Sequence, residues 1–191
     1  EIYTLSLHDA LPILASRRVM VIPEANPDGA ARRSRYNARG VDLNRNFRTE
    51  NWSSGLRAGA FPFSEPETRA VVQAIRIFRP HRIVSIHEPL ACIDYDGPGA
   101  EMAVRISEHG DLPVQKLGGR PGSLGSYAGL EKGIPCITLE LPPGASGAPG
   151  RRLWEIHGPL LLSAVRYPEE LEEGGMEEVA DFVDTQTTGG K

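Results

Sequence analysis

Apolar positions in this chain fall into short continuous runs separated by stretches of helical spacing. Arg18 to Pro23 (RVMVIP) is a run rich in Val and Ile that predicts a buried strand, and Asn26-Pro27-Asp28-Gly29 after it predicts a turn. Ala30 to Phe47 is polar, Arg-rich and without periodicity, which predicts a structured loop. Ser64-Glu65-Pro66-Glu67 has the Ser-x-x-Glu spacing of a capping box with Pro in the first turn. Val71, Val72, Ile75 and Phe78 then recur at helical intervals, so a helix of about four turns should end near Arg79-Pro80. Ile83 to Ile86 predicts a buried strand delivering His87 at its C-terminal end. A second helix is expected over Gly99 to His109, a Gly-rich loop over Lys116 to Ser126 with a short helical turn after it, and a strand over Ile134 to Leu141. The last helix should run from Arg151 to Tyr167, with Leu153, Ile156, Leu160, Leu161 and Val165 as its apolar stripe. This alternation predicts an α/β fold with a mixed, partly parallel central sheet flanked by helices, and functional groups at the strand ends.

A length of 191 residues suits one domain. Apolar residues make up 40% and charged residues 24%, and no apolar run reaches the ~18 residues of a membrane span, so the composition fits a globular protein without a membrane partner. The net charge of −4 is unevenly placed, because residues 168–191 hold eight acids against one Lys. That acidic tail has little to bury and is expected to be disordered. Of the 21 basic residues 18 are Arg, which favours fixed recognition of carboxylates or phosphates. They are scattered among acids without aromatic interleaving, so a nucleic-acid partner is not expected. Cys92 and Cys136 have no metal-finger spacing, which excludes a disulfide framework and makes a reducing compartment the default.

Several positions carry candidate chemistry. His87 shares the alternating face of Ile83 and Ser85 and should stand at the rim of the sheet; a lone His there is more often a hydrogen-bonded core residue than a ligand. Glu140 faces opposite to its apolar neighbours near the end of Ile137-Thr138-Leu139-Glu140-Leu141, and alone it could simply be solvated. Parallel strands ending side by side would bring the two to one edge, where a metal-bound water could be activated. Asn44-Arg45 supplies an amide beside a guanidinium, a pair suited to a carboxylate, or else a loop brace in which Arg45 pairs with Asp42. Arg35 could steady an oxyanion. Tyr127 could be a packed aromatic or a pocket wall.

The ordered set NPDG, RYN, GVDLNRNF, SEPET, SIHEPL, GSLGSY and ITLELP resembles the zinc carboxypeptidase family from about Val19 to Tyr167, most closely its murein peptide amidase branch. The resemblance implies a catalytic zinc with His87 as its third protein ligand, and Glu140 as the general base that returns the proton to the leaving amine. It implies Arg35 polarising the scissile carbonyl, Asn44 and Arg45 holding the free carboxylate of the released residue, and Ser123 and Tyr127 at the substrate pocket. The expected activity is zinc-dependent hydrolysis of the bond between γ-D-glutamate and meso-diaminopimelate in a murein tripeptide or similar peptide, in a bacterial cytoplasm during cell-wall recycling. Leu124, after Gly122-Ser123, offers no charge to a diaminopimelate side chain. Rival expectations are a general metallocarboxypeptidase, and a non-catalytic module that binds peptide carboxylates through Asn44 and Arg45.

One departure stands out. The family takes its first two zinc ligands from His-x-x-Glu, and no His of this chain has Glu three residues on. Residues 1–13 (EIYTLSLHDALPI) also read as one frame of a common short-read sequencing adapter. Together these predict a non-native segment over 1–13, a partial catalytic domain over 14–167 that lacks its first strands and two of three zinc ligands, and a fragment inactive as printed.

Overall fold

The computed structural model describes residues 17–168; the segments read as adapter-derived and as an acidic tail lie outside these residues, apart from Pro168. Helix α1 (Pro27–Arg32) and a 3-10 turn (Leu43–Arg45) come first, then α2 (Pro66–Phe78), β1 (Ile83–His87), β2 (Cys92–Asp96) and α3 (Ala100–Ser107). A π-helix (Gly125–Glu131), β3 (Cys136–Glu140), a 3-10 turn (Ala145–Gly147) and α4 (Gly150–Arg166) complete the order. The three strands form one mixed sheet in the order β1-β3-β2, with β1 parallel and β2 antiparallel to β3.

The sheet has two unlike faces, because side chains alternate along each strand. Ile93 of β2 with Ile137 and Leu139 of β3 point one way and bury against Met102, Ala103 and Ile106 of α3 and Leu160 and Ala164 of α4. The other face carries Ser85 and His87, Cys136, Thr138 and Glu140, and Cys92, Asp94 and Asp96, brought side by side by the register. A second, smaller core under the loops is aromatic: Phe47, Phe63 and Tyr127 meet with ring centroids 5.6–6.4 Å apart, backed by Val71, Val72 and Ile75 of α2.

Three local expectations need correction. RVMVIP is not a strand. Val19, Met20, Val21 and Ile22 form no regular secondary structure and are 42–71% exposed, since no neighbouring strand among the described residues offers them a hydrogen-bond ladder. NPDG is not a free turn but the start of α1, where the Asn26 side chain accepts from Gly29 N and Pro27 occupies the first turn. The Ser64–Glu67 capping box does not form: Glu65 is the N-cap without a side-chain cap, Ser64 Oγ donates to Glu65 Oε1, and Glu67 accepts from Asn37 Nδ2. Strand β2 was not anticipated at all, because its acids at alternate positions read as loop.

Candidate functional site

The loop from Asn26 to Phe47 is held in shape by buried polar groups rather than by regular structure. Asn26 Nδ2 donates to the Arg35 carbonyl, and Arg35 Nε donates to Asp42 Oδ2 at 2.7 Å. Asp42 Oδ1 in turn accepts from Asn44 N, which sets the 3-10 turn that presents Asn44 and Arg45. Below it, fully buried Asn46 donates to Ala58 O, Phe61 O and Ser64 Oγ and accepts from Glu65 N. Asn37 donates to buried Glu65 and accepts from Val41 N. NPDG, RYN, GVDLNRNF and SEPET are thus one hydrogen-bonded network, and its output is the placement of three side chains: Arg35, Asn44 and Arg45.

The Gly-rich loop docks onto this network. Leu124 N donates to Asn44 Oδ1 at 2.8 Å, Phe47 N donates to Gly122 O, and Gly122 N donates to Thr49 Oγ1. Gly122 sits at φ +67, where a Cβ would lie 2.6 Å from the Arg45 carbonyl carbon, so the close approach needs glycine. Ser123 Oγ accepts from Ser126 N and starts the π-helix.

Between the two loops and the polar face of the sheet lies a cavity of about 260 Å³. Arg35, Asn44, Arg45, His87, Ser123 and Glu140 all line it. Tyr127 does not: it is 9% exposed and packed on Phe47 and Phe63, with its ring committed to the aromatic core. His87 and Glu140 are directly opposite residues of parallel strands, with Cys92 of β2 next in the same row. The Glu140 carboxylate is buried, and its Oε2 has no hydrogen-bond partner among the described residues. His87 Nε2 lies 2.8 Å from Ser85 Oγ. Burial holds the His87 pKa below the usual value, with Glu140 opposing, so the imidazole is neutral at physiological pH.

Arg45 is a cation short of anions. Burial lowers its pKa, Asp42 alone opposes, and Arg35 and Arg120 add like charge. It donates to the Asn44 carbonyl at 2.5 Å and leaves the rest of its fork to the cavity. The expected brace with Asp42 is instead made by Arg35. An anion such as a carboxylate is the natural complement of this corner.

Two residues that the sequence reading passed over also line the cavity, Asp94 and Asp96 of β2. Both are at least nine-tenths buried. Asp94 Oδ1 accepts from Leu117 N, while Asp96 Oδ1 has no hydrogen-bond partner and only the Lys116 ammonium at 3.7 Å. Burial pushes the Asp96 carboxyl above its usual pKa, with Lys116 opposing and Asp94 adding to it. Gly125 makes the room for it, since a Cβ there would meet the Asp96 carboxylate carbon at 2.9 Å. The signal available in the sequence was the period-two spacing of Asp94 and Asp96 after Cys92.

Residues 9–95 match the family model described as zinc carboxypeptidase. Murein peptide amidase A of Escherichia coli K12 is 39% identical over 148 residues, covering 68% of this chain and 60% of that protein. The crystal structure of murein-tripeptide amidase from Escherichia coli O157 superposes with a TM-score of 0.64 at 35% identity, over 76% of this chain and 67% of that one. The chain belongs to the zinc carboxypeptidase family. Murein peptide amidase A of Vibrio campbellii is 36% identical over 64% of this chain and 56% of its own length. Carboxypeptidase A of Helicoverpa armigera shares the fold, with a TM-score of 0.57 at 23% identity, over 78% of this chain and 52% of that one. The chain spans about 60% of the length of the curated Escherichia coli relative that it matches.

A catalytic zinc in such a family takes three protein ligands and keeps one position open. Among the described residues no three His, Cys, Asp or Glu side chains come together as a metal site. His87 is a fitting donor, neutral and aimed into the cavity, but residues 17–168 alone do not fit a catalytic zinc. Among the same residues no helix is long and apolar enough to cross a membrane.

Proposed function

We propose that the protein this chain represents hydrolyses the amide bond between γ-D-glutamate and meso-diaminopimelate in murein peptides, a cell-wall recycling reaction in a bacterial cytoplasm. The observation that carries it is the charge pattern of one cavity: cations Arg35 and Arg45 on the loop side, the unpartnered Glu140 carboxylate beside His87 on the sheet, and buried Asp94 and Asp96 beyond. The substrate's free carboxylate lies on Arg45 and the Asn44 amide, which leaves the scissile carbonyl toward the fork of Arg35. Arg35, steadied by Asp42, donates to the oxygen as it gains charge. Glu140 takes the proton from the attacking water and passes it to the departing amine, for which a carboxylate free of other hydrogen bonds is suited.

His87 is one ligand of the family's zinc; no three ligating side chains come together among the described residues and no His of the sequence has Glu three residues on, so the 191-residue chain is expected to be inactive by itself. The relatives named murein peptide amidase A support the choice of substrate, and so does the cavity. An ordinary apolar C-terminal residue would set hydrocarbon against the buried carboxylates of Asp94, which has only the Leu117 N–H, and Asp96, which has only the Lys116 ammonium at 3.7 Å. That disfavours a general carboxypeptidase. The test is a comparison of substrates on the protein at its full natural length: release of diaminopimelate from murein tripeptide with zinc, and no release after chelation. Faster release of ordinary C-terminal L-amino acids would support the general carboxypeptidase instead.

A further inference from the structure

A groove beside β1 takes no part in the proposed reaction. Val71, Ile75 and Phe78 of α2, Ile83 of β1 and Leu161 of α4 line it, and among the described residues nothing pairs with the outer edge of β1. The groove is cationic where α4 ends. Arg17, Arg18 and Arg82 line it there: Arg17 Nη1 donates to the Tyr167 carbonyl at 3.1 Å, Arg82 Nη2 donates to the Val165 carbonyl at 3.3 Å, and the Arg18 guanidinium lies over the Phe78 ring. None of the three pairs with an acid among the described residues. Arg17 Nε is buried and has no hydrogen-bond partner among the same residues. Burial lowers the Arg82 pKa, and the charge of Arg17 adds to it. Apolar surface rimmed by unanswered positive charge calls for an acidic amphipathic segment.

Such a segment leaves from this rim. After Tyr167, residues 168–191 hold eight acids against one Lys. Within them Met176, Val179, Ala180 and Val183 stand at i, i+3, i+4 and i+7, an apolar stripe of helical period, with Glu177, Glu178, Asp181 and Asp184 on the other side. A helix so short does not hold by itself, which agrees with the disorder expected of the free tail; the groove supplies the cover it lacks. Residues 168–175 in between include Gly174-Gly175, and their number falls within the ~2–8 residues that turn one helix back on another. We propose that residues 176–184 lie as a helix in the groove beside β1, with the apolar stripe on Val71, Ile75 and Ile83 and the acids on Arg17, Arg18 and Arg82. A second copy of the chain is the poorer occupant, because it would bring two sets of three arginines together. The edge of β1 is then shielded by a helix, and any other chain that pairs with it must first displace the tail. Resting on one short stripe and on ion pairs open to solvent, the cover is partial and sensitive to salt. It is independent of the amidase reading.

The test uses the 191-residue chain with a nitroxide spin label on Thr185→Cys; Cys92 and Cys136 are buried and stay unlabelled. The methyl signals of Val71, Ile75 and Ile83 should broaden, while those of Ile106 and Leu112, in the other core, should stay sharp. The broadening should be lost in Val179→Asp, which breaks the stripe, and should fall in about 1 M salt, where charges are screened within ~3 Å. Val179→Asp changes only the tail, so unaltered Ile106 and Leu112 signals verify that the fold is kept. Anilinonaphthalene sulfonate should fluoresce more strongly with Val179→Asp than with the wild-type chain, because the groove is then bare. Sharp Val71, Ile75 and Ile83 signals at low salt would overturn the proposal. Broadening that survives Val179→Asp would overturn it as well, since the apolar stripe would then do nothing. Equal broadening when one chain carries the spin label and another the isotope would assign the groove to a second copy, against the proposal.

Discussion

At the scale of single residues, two buried carboxylate oxygens without a hydrogen bond, Glu140 Oε2 and Asp96 Oδ1, lie in the site. A carboxylate kept from water without hydrogen bonds lowers stability, and it persists where a ligand or a proton repays it. Asp96, whose Oδ1 has only the Lys116 ammonium at 3.7 Å, is such a case. Its pKa is raised, so between the ordinary aspartate value of 3.8 and the raised value the folded state binds the proton more readily than the unfolded chain. Stability therefore falls as pH climbs through that window. Asp96→Asn removes the penalty, so its melting temperature at pH 7 should rise by ~2–4 °C, about 1 kcal/mol in a domain of this size, and the gain should vanish as pH drops toward 3.8. A thermal scan at both pH values checks it; a loss of stability at pH 7 would mean that the carboxylate is structurally paired. His87, Glu140, Asn44, Arg45 and Arg35 were legible as candidates because each is a polar group set against an apolar run or beside a complementary partner. Asp94 and Asp96 were not, because acids at alternate positions look like a solvated edge until a loop is seen to cover them.

At the scale of elements, the structure separates motifs that touch the cavity from motifs that hold it. Asn46 never reaches the cavity, yet it makes four hydrogen bonds that tie the Phe47 loop to Ser64 and the start of α2. Asn46→Ala strands the buried Ala58 carbonyl and the Glu65 backbone N–H, and should cost about 3 kcal/mol in a denaturant titration, several times the effect of an exposed substitution. Gly125→Ala should instead leave stability nearly intact if Asp96 can swing away. It would then weaken binding of diaminopimelate, read by the fluorescence of Trp52, whose indole donates to the Arg45 carbonyl, because its methyl group displaces the Asp96 carboxylate. Helices α2 and α4 and strands β1 and β3 were legible from periodicity, with ends within two residues. RVMVIP was misread because an apolar run states only that it wants cover. Whether the cover is a ladder or a groove depends on neighbours that sequence does not display.

At the scale of the whole molecule, the described residues make a sheet with an unpaired outer edge on β1. Beside it a groove of about 640 Å³ is lined by Met20, Ile22, Val71, Ile75, Phe78 and Ile83. Ile86 is 55% exposed on the same edge. Exposed apolar area of this kind binds hydrophobic dyes, and the chain should enhance anilinonaphthalene sulfonate fluorescence under native conditions. It should also copurify with well under one zinc per molecule, because among the described residues His87 has no set of further ligands beside it and one imidazole cannot hold the ion against dialysis. Tight stoichiometric zinc by atomic emission would contradict this.

In the proposed reaction Glu140, which shares the cavity with His87, Arg35 and Arg45, is the proton carrier of a γ-D-glutamyl-diaminopimelate amidase. The most direct measurement is single-turnover release of diaminopimelate from murein tripeptide by the protein at its full natural length, comparing wild type with Glu140→Gln. The expected result is a loss of at least about 10²-fold in the chemical step with tripeptide affinity nearly unchanged. Undiminished turnover in Glu140→Gln would contradict it.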